Sequence, residues 1–167
     1  MAYRNKTYVA FDGDEDINDY WLLRAWKNND NIDFDFYDAH DLNSARDTSQ
    51  EESIKNQLRK RFDDSKLFIL LVGKHTRYLR KFVPWEIDQA LRRQLPIIVV
   101  NLNGKRNRDD LLCPAKLQNE LAIHVAFKAA ILNFAVKAWP ESDARHRRDG
   151  ESGAYYYEDS LYAKLGL

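Results

Sequence analysis

The chain has 167 residues, 44% of them hydrophobic, and 26 Lys and Arg residues balance 26 Asp and Glu residues. This length suits one domain with its own core, and the balanced charge argues against a dedicated nucleic-acid-binding protein. The apolar runs are too short to span a membrane, and the polar start at Met1–Lys6 lacks the apolar stretch of a secretory signal. Because Cys113 is the only cysteine, we expect no intramolecular disulfide and a cytoplasmic location.

The first two thirds of the chain alternate between strand-like and helix-like segments. β-Branched, aromatic or continuous apolar runs predict strands at Thr7–Phe11, Phe34–Asp38, Lys66–Gly73 and Pro96–Asn101. Helical spacing of apolar residues predicts a first helix over 15–28. A second helix is predicted after a capping box at Thr48–Glu51, with Ile54, Leu58 and Phe62 on one face. A third helix is predicted to begin at Pro84, and its buried residues are Val83, Ile87, Ala90 and Leu91.

The remaining third has weaker signals. We predict a short helix within Leu111–Glu120, a short strand at Ala122–Phe127, and a helix over Ile131–Trp139 that Pro140 stops. Residues 1–140 are therefore predicted to form one domain. Residues 141–167 are predicted to be a charged loop followed by an aromatic tail, from Tyr155, that packs on the same domain.

Alternating strands and helices predict an α/β fold with a central parallel sheet covered on both faces. We expect a flavodoxin-like three-layer sandwich with strand order 2-1-3-4-5. In such a fold, ligands bind beyond the carboxyl ends of the strands, where the strand order reverses. Three segments are predicted to meet there: Phe11–Asp16, Asp38–Asn43 and Gly73–Tyr78.

Several kinds of site are disfavoured. Gly13 stands alone, without the glycine-rich patterns that cradle phosphates. The four histidines and Cys113 lack the spacing of a structural zinc site, and no GxSxG motif suggests a serine hydrolase. We therefore expect neither a metal nor a cofactor.

Glu86 is the most informative carboxylate. It is predicted in the first turn of the helix that follows strand 3, at the rim of the buried stripe and between Phe82 and Trp85. Partial desolvation there would raise its pKa and suit it to acid–base or charge-stabilising work. The alternative is that the helix dipole alone favours a glutamate at this position.

Other polar residues also fall at the predicted strand ends. Asp12 directly follows strand 1 and is a candidate for ligand contact, whereas Asp14–Asp16 are interpreted as an acidic helix start. Asp38 and His40 end strand 2, either as turn residues or as ligand contacts. His75 can reach the same cleft, although a surface histidine is the commoner outcome.

The segment Lys66–Ala90, KLFILLVGKHTRYLRKFVPWEIDQA, resembles strand 3 and the following helix of bacterial TIR-like domains, including the TIR proteins of Thoeris anti-phage systems. In that group an apolar strand ends in glycine, and an aromatic residue then precedes Glu-Ile within a helix; here these are Phe82 and Glu86. The segments KTYVAFDGDED and FDFYDAHD resemble the family's first two strands. The sequence departs from the family at Asp12-Gly13, where a Ser-Phe-His type of sequence is often found.

The resemblance implies cleavage of the nicotinamide–ribose bond of NAD, with Glu86 as the catalytic residue. Phe11, Asp12, Asp38 and Trp85 would line the nucleotide site. NAD would be the substrate, and the product would be a cyclic or conjugated ADP-ribose signal that activates a downstream effector. The resemblance also implies self-association, because TIR enzymes often need assembly to complete the site. Two alternatives stay open: a non-enzymatic TIR-like interaction module, and a nucleoside deoxyribosyltransferase-like enzyme.

Overall fold

A computed structural model describes residues 5–29, 34, 36–38 and 51–167. The strands are β1 (Lys6–Ala10), β2 (Tyr37–Asp38), β3 (Leu67–Val72), β4 (Ile97–Asn101), β5 (Ala122–Ala126) and β6 (Ala154–Tyr156). They form one sheet in the order β2-β1-β3-β4-β5-β6, and every neighbouring pair is parallel. The predicted α/β fold with a parallel sheet is confirmed, and the architecture is compatible with a flavodoxin-like fold.

The helices are α1 (Ile17–Lys27), α2 (Glu51–Asp64), α3 (Phe82–Arg92), α4 (Ala129–Arg148) and α5 (Asp159–Lys164). Short 3₁₀ turns occur at Thr76–Tyr78 and Ala115–Leu117. None of the helices in the described part of the chain is long and apolar enough to cross a membrane.

Helices cover both faces of the sheet, which makes three layers. Successive side chains of a strand point to opposite faces. Val9 and Phe11 accordingly join the apolar layer that includes residues of α1, α4 and α5, while Tyr8 and Ala10 join the layer that includes residues of α2 and α3. β3 is buried along its whole length, as its continuous apolar run predicts for a central parallel strand.

Helix α4 differs most from the prediction. It does not stop at Pro140 but continues to Arg148, so the charged loop predicted to begin at residue 141 is wrong for its first eight residues. Its last turns are held by contacts: Arg147 Nε donates to Asp143 Oδ2 at 2.9 Å, and the rings of His146 and Tyr155 stack at 4.1 Å. These contacts offset the hydrogen bond that a proline cannot make.

The aromatic tail forms a strand that we did not predict. Ala154–Tyr156 adds β6 at the edge of the sheet, with Ala122 opposite Ala154 and His124 opposite Tyr156. The extended α4 serves as the crossover connection that a parallel neighbour requires.

Smaller corrections concern helix starts. Helix α3 begins at Phe82, so Pro84 is its third residue, and within Leu111–Glu120 only Ala115–Leu117 is helical, as a 3₁₀ turn. Of the predicted capping box at Thr48–Glu51, only Glu51 is among the described residues. The candidate His40 lies outside them.

Candidate functional site

Two of the clefts that the described residues form lie beside the loops that follow β1 and β3. The first cleft, about 420 Å³, lies between the loop after β1 and the segment that leads into α3. Its lining residues are Asp12, Gly13, Asp14, Leu79, Arg80, Lys81, Phe82 and Val83. The second cleft, about 280 Å³, lies beside the start of α1. Its lining residues are Glu15, Asp16, Asp19, Gly73, Lys74, His75, Leu102, Asn103 and Leu112.

Glu86 is fully buried, with 0% of its surface exposed. Because α3 begins at Phe82, Glu86 is the fifth helical residue. The helix dipole acts mainly within the first turn, so it does not by itself account for a glutamate here. Burying a carboxylate is costly unless other groups compensate it.

A tyrosine from β1 supports the Glu86 carboxylate. The hydroxyl of Tyr8 donates a hydrogen bond to Glu86 Oε2 at 2.5 Å. The Tyr8 ring is itself fixed, because it stacks on Phe62 with 3.8 Å between ring centroids and an interplanar angle of 13°. A hydrogen bond of this length fixes the two groups relative to each other. The pair therefore holds the carboxylate in one orientation.

Glu86 is adjacent to the first cleft but does not line it. Phe82 and Val83 precede it by four and three residues, so they lie one turn nearer the cleft on the same face of α3. Both line the cleft, and Phe82 is only 7% exposed. The Glu86 side chain itself has no exposed surface, and Phe82 and Val83 are its helix neighbours that face the cleft.

Asp12 lines the first cleft and is also engaged locally. Its Oδ1 accepts hydrogen bonds from the backbone N–H of Asp14 at 3.0 Å and of Glu15 at 3.4 Å. Its backbone oxygen accepts from the N–H of Asp16 at 2.9 Å. Asp12 thus holds the loop after β1 in place and also lines the cleft.

Asp16 lies in the second cleft and was missed as a candidate. It occupies the N-cap position of α1, yet its side chain caps no backbone N–H. The carboxylate lies against Gly73 instead, so close that a Cβ on Gly73 would be 2.4 Å from Oδ2. Burial, reinforced by the charge of Asp12, raises the pKa of Asp16 to about 6.

A family model described as "Thoeris protein ThsB, TIR-like domain" matches residues 8–107 of the chain. The chain belongs to this TIR-like family. The match covers more than half of the sequence and places the protein among TIR-like proteins of anti-phage defence. It includes the Tyr8–Glu86 pair, the whole lining of the first cleft, and all of the second cleft except Leu112.

The TIR-like domain does not bring all the predicted site residues together. The Phe11 ring lies on the face of the sheet opposite Tyr8, where it stacks on Tyr20 at 4.4 Å. Trp85 packs edge-on against Phe62 at 6.1 Å, and the cations of Lys55 and Arg59 lie over its ring. Neither side chain lines the first cleft.

His75 and Asp38 occupy different places. His75 is exposed in the second cleft, with its Nδ1 3.8 Å from Glu15 Oε2. Asp38 ends β2, and its backbone pairs with Thr7, the second residue of β1, so it lies nearer the amino end of β1 than the carboxyl edge of the sheet. Among the predicted site residues whose side chains the structure describes, Asp12 and Glu86 are therefore the two associated with the first cleft.

Tyr8 was also missed, although the sequence contains a signal for it. A tyrosine in a strand buried on both faces needs a hydrogen-bond partner for its hydroxyl, and strand alternation places Tyr8 on the face opposite Val9 and Phe11. Among the described residues, no group of three or more His, Cys, Asp and Glu side chains is arranged to hold a metal ion.

Proposed function

We propose that this TIR-like domain cleaves the nicotinamide–ribose bond of NAD, with Glu86 as the catalytic carboxylate. The observation that carries the proposal is the buried Glu86 carboxylate, oriented by the Tyr8 hydroxyl beside a cleft at the carboxyl edge of a parallel sheet. Ligands bind at this edge in α/β folds. The membership in a TIR-like family supports the same substrate.

The proposed reaction needs one carboxylate and no metal. The bond between ribose C1′ and the nicotinamide nitrogen breaks, and its electron pair stays on that nitrogen, which neutralises the pyridinium. The ribose is left with oxocarbenium character, which the negative charge of Glu86 stabilises. A water molecule or a nucleophile of the adenosine or of an acceptor then adds to C1′ and loses a proton. The product is a free, cyclic or conjugated ADP-ribose, the signal for a downstream effector.

The first cleft suits the phosphates of a dinucleotide. Arg80 and Lys81 are exposed on its wall, and Lys81 immediately precedes the amino terminus of α3. Cationic side chains and the amino end of a helix both attract phosphate. In the proposal, the diphosphate lies on this wall, and the ribose approaches Glu86 when Phe82 and Val83 move aside.

The movement of Phe82 and Val83 links activity to assembly. In the resting chain Glu86 has no exposed surface, so a substrate cannot touch it. Self-association that shifts the start of α3 would uncover the carboxylate, in keeping with a trigger-dependent defence enzyme.

The test is NAD consumption by the full chain, in cells expressing it during phage infection and with the purified protein. We expect Glu86→Gln to lower turnover by about 100-fold or more, because it removes the charge that stabilises the transition state. Gln still offers an oxygen to Tyr8, so the fold should survive. Tyr8→Phe should lower turnover less, because the carboxylate remains but loses its orientation.

Asp88→Asn is the matched control. Asp88 lies on the same helix and pairs at the surface with Lys116, with Lys116 Nζ 2.7 Å from Asp88 Oδ2. This variant makes the same chemical change two residues away, and we expect turnover within twofold of the wild type. If Glu86→Gln consumes NAD as fast as Asp88→Asn while both unfold at the same temperature, Glu86 is not the catalyst.

A second candidate function is a non-enzymatic interaction module. Two observations favour it: Glu86 is closed off, and helix α1 exposes Trp21 at 49% and Leu22 at 45%. Exposed apolar side chains of this size are found at protein–protein contacts. Assembly that Trp21→Ala abolishes, in a protein that never consumes NAD under activating conditions, would favour this function over the first.

A further inference from the structure

The side chain of Asp16 departs from the usual behaviour of its position. An aspartate at the N-cap normally accepts a hydrogen bond from a backbone N–H of the first turn, which stabilises the helix by about 1 kcal/mol. Asp16 makes no such bond. Its Oδ2 is buried and accepts no hydrogen bond in the described part of the structure. The residue as a whole is 7% exposed.

Gly73 provides the space that Asp16 occupies. A Cβ added to Gly73 would lie 2.4 Å from Asp16 Oδ2 and 2.6 Å from Oδ1, distances that Cβ atoms do not adopt. Gly73 has no positive φ that would by itself require glycine. The glycine that follows β3 therefore leaves room for the Asp16 carboxylate, which makes no bond to its own helix, and Asp16 is one of the residues that line the second cleft.

A buried carboxylate oxygen without a donor is costly. A residue that gives up a usual stabilising contact, here the N-cap hydrogen bond of Asp16, without another contact in its place is typical of a functional position. The missing contact is a hydrogen-bond donor, and the second cleft is the space from which one can come.

The other groups of the second cleft define the donor's chemistry. Glu15 and Asp19 add two more carboxylates to its lining, against Lys74 and the exposed His75. Asn103 is already engaged, since its Nδ2 donates to Asp109 Oδ2 at 2.8 Å. Leu102 and Leu112 supply apolar surface. The cleft thus combines negative charge with apolar walls and suits a small cation that has a hydrocarbon body.

We propose that the second cleft binds a small organic cation with N–H donors, an alkylammonium or alkylguanidinium group, whose N–H groups bind the Asp16 carboxylate. The hydrocarbon part packs between Leu102 and Leu112. This site is separate from the first cleft and from Glu86, and it does not depend on NAD cleavage.

The test is a titration of the ¹⁵N-labelled full chain at pH 7.5 with n-butylammonium and with ethylguanidinium, followed by amide chemical shifts. We expect saturable shifts at Gly73, Lys74 and Asn103. n-Butanol, which has the same body without the charge, should produce none. Because the pKa of Asp16 is about 6, the affinity should fall as the pH drops below that value.

Asp16→Asn and Asp14→Asn form a matched pair of variants. Each removes one negative charge from the same loop, but Asp14 lines the first cleft. We expect Asp16→Asn to weaken binding by about tenfold or more, because a hydrogen bond to a charged group is lost, and Asp14→Asn to bind as the wild type does. Thermal unfolding establishes that both variants are folded.

Two results would overturn the proposal. One is equal binding by Asp16→Asn and Asp14→Asn, or the absence of saturable shifts at Gly73 with either amine. The other is tighter binding of N-methylpyridinium, a cation without N–H donors. That result would assign the second cleft to a ring such as the nicotinamide of a dinucleotide.

Discussion

Tyr8 and Glu86 are 78 residues apart in the sequence and meet through one hydrogen bond. The position of Glu86 at the rim of a buried stripe was predictable, because helical spacing places it beside Val83 and Ala90. Its complete burial was not, because the Tyr8 hydroxyl that supports the carboxylate comes from a strand far along the chain. The apolar residue pattern of a helix carries no information about such a partner.

A substitution at Gly73 tests the close packing against Asp16. We expect Gly73→Ala to lower the free energy of unfolding by about 1–3 kcal/mol, because the new methyl group overlaps the buried carboxylate. Chemical denaturation measures the change. Gly13→Ala is the control: a Cβ there meets nothing within 4 Å and Gly13 has no positive φ, so stability should hold or rise slightly.

The double variant Gly73→Ala/Asp16→Ala identifies the cause of that loss. Removing the carboxylate makes room for the methyl group, so the two changes should be clearly non-additive. If Gly73→Ala costs as much in the Asp16→Ala background as alone, the overlap with Asp16 is not the reason for the glycine.

At the scale of elements, long periodic helices and continuous apolar strands were predictable, and proline was misleading. Leu58 and Phe62 of α2 are buried as their spacing predicts. The sequence predicts that Pro140 ends the helix, but Trp139 before it and Asp143 after it are both buried, so tertiary contacts keep α4 helical on either side. β6 has three residues, too few for an alternating pattern to stand out.

The proline inside α4 yields a prediction. Pro140→Ala restores a backbone N–H within the helix and removes the ring that crowds the preceding turn. Without the proline the unfolded chain has more conformational entropy, which offsets part of the stabilisation of the helix. We expect a net gain of about 1 kcal/mol in the free energy of unfolding, measured by urea denaturation. A loss of stability would instead mean that packing of the proline ring outweighs the missing hydrogen bond.

At the scale of the whole molecule, the alternation of elements was enough to predict layers around a parallel sheet. The composition of the site was less predictable. Tyr8 lies in β1 and Phe11 directly follows this strand, but their rings lie on opposite faces of the sheet, and Tyr8 is the one on the face of α3. Assigning site residues by their nearness to a strand end therefore groups side chains that the sheet separates.

Two buried groups give the stability of the molecule opposite dependences on pH. His124 is fully buried in β5, and burial, with the charge of Arg108, lowers its pKa to about 4. The unfolded chain binds more protons between pH 4 and 6.5, so this group removes stability as the pH falls through that range. Asp16, with its pKa raised to about 6, adds stability as the pH falls from 6 towards 3.8.

The two effects are separated by measuring the free energy of unfolding between pH 4 and 7. The proteins compared are the wild type, Asp16→Asn and His124→Leu. Relative to the wild type, Asp16→Asn should be more stable at pH 7 by about 1–3 kcal/mol, and this difference should vanish near pH 4. The stability of His124→Leu relative to the wild type should instead increase on acidification. Parallel curves for all three proteins would refute both assignments.

The closed Glu86 has an energetic consequence for whatever activates the proposed enzyme. Suppose that only one molecule in a hundred is open at rest, which would protect a cell from losing its NAD. To leave only one in a hundred closed, the activator must bind the open form about 10⁴-fold more tightly than the closed one, a difference of about 5.5 kcal/mol. The free energy by which Tyr8, Phe82 and Val83 favour the closed form would then determine the lowest concentration of activator that switches the enzyme on.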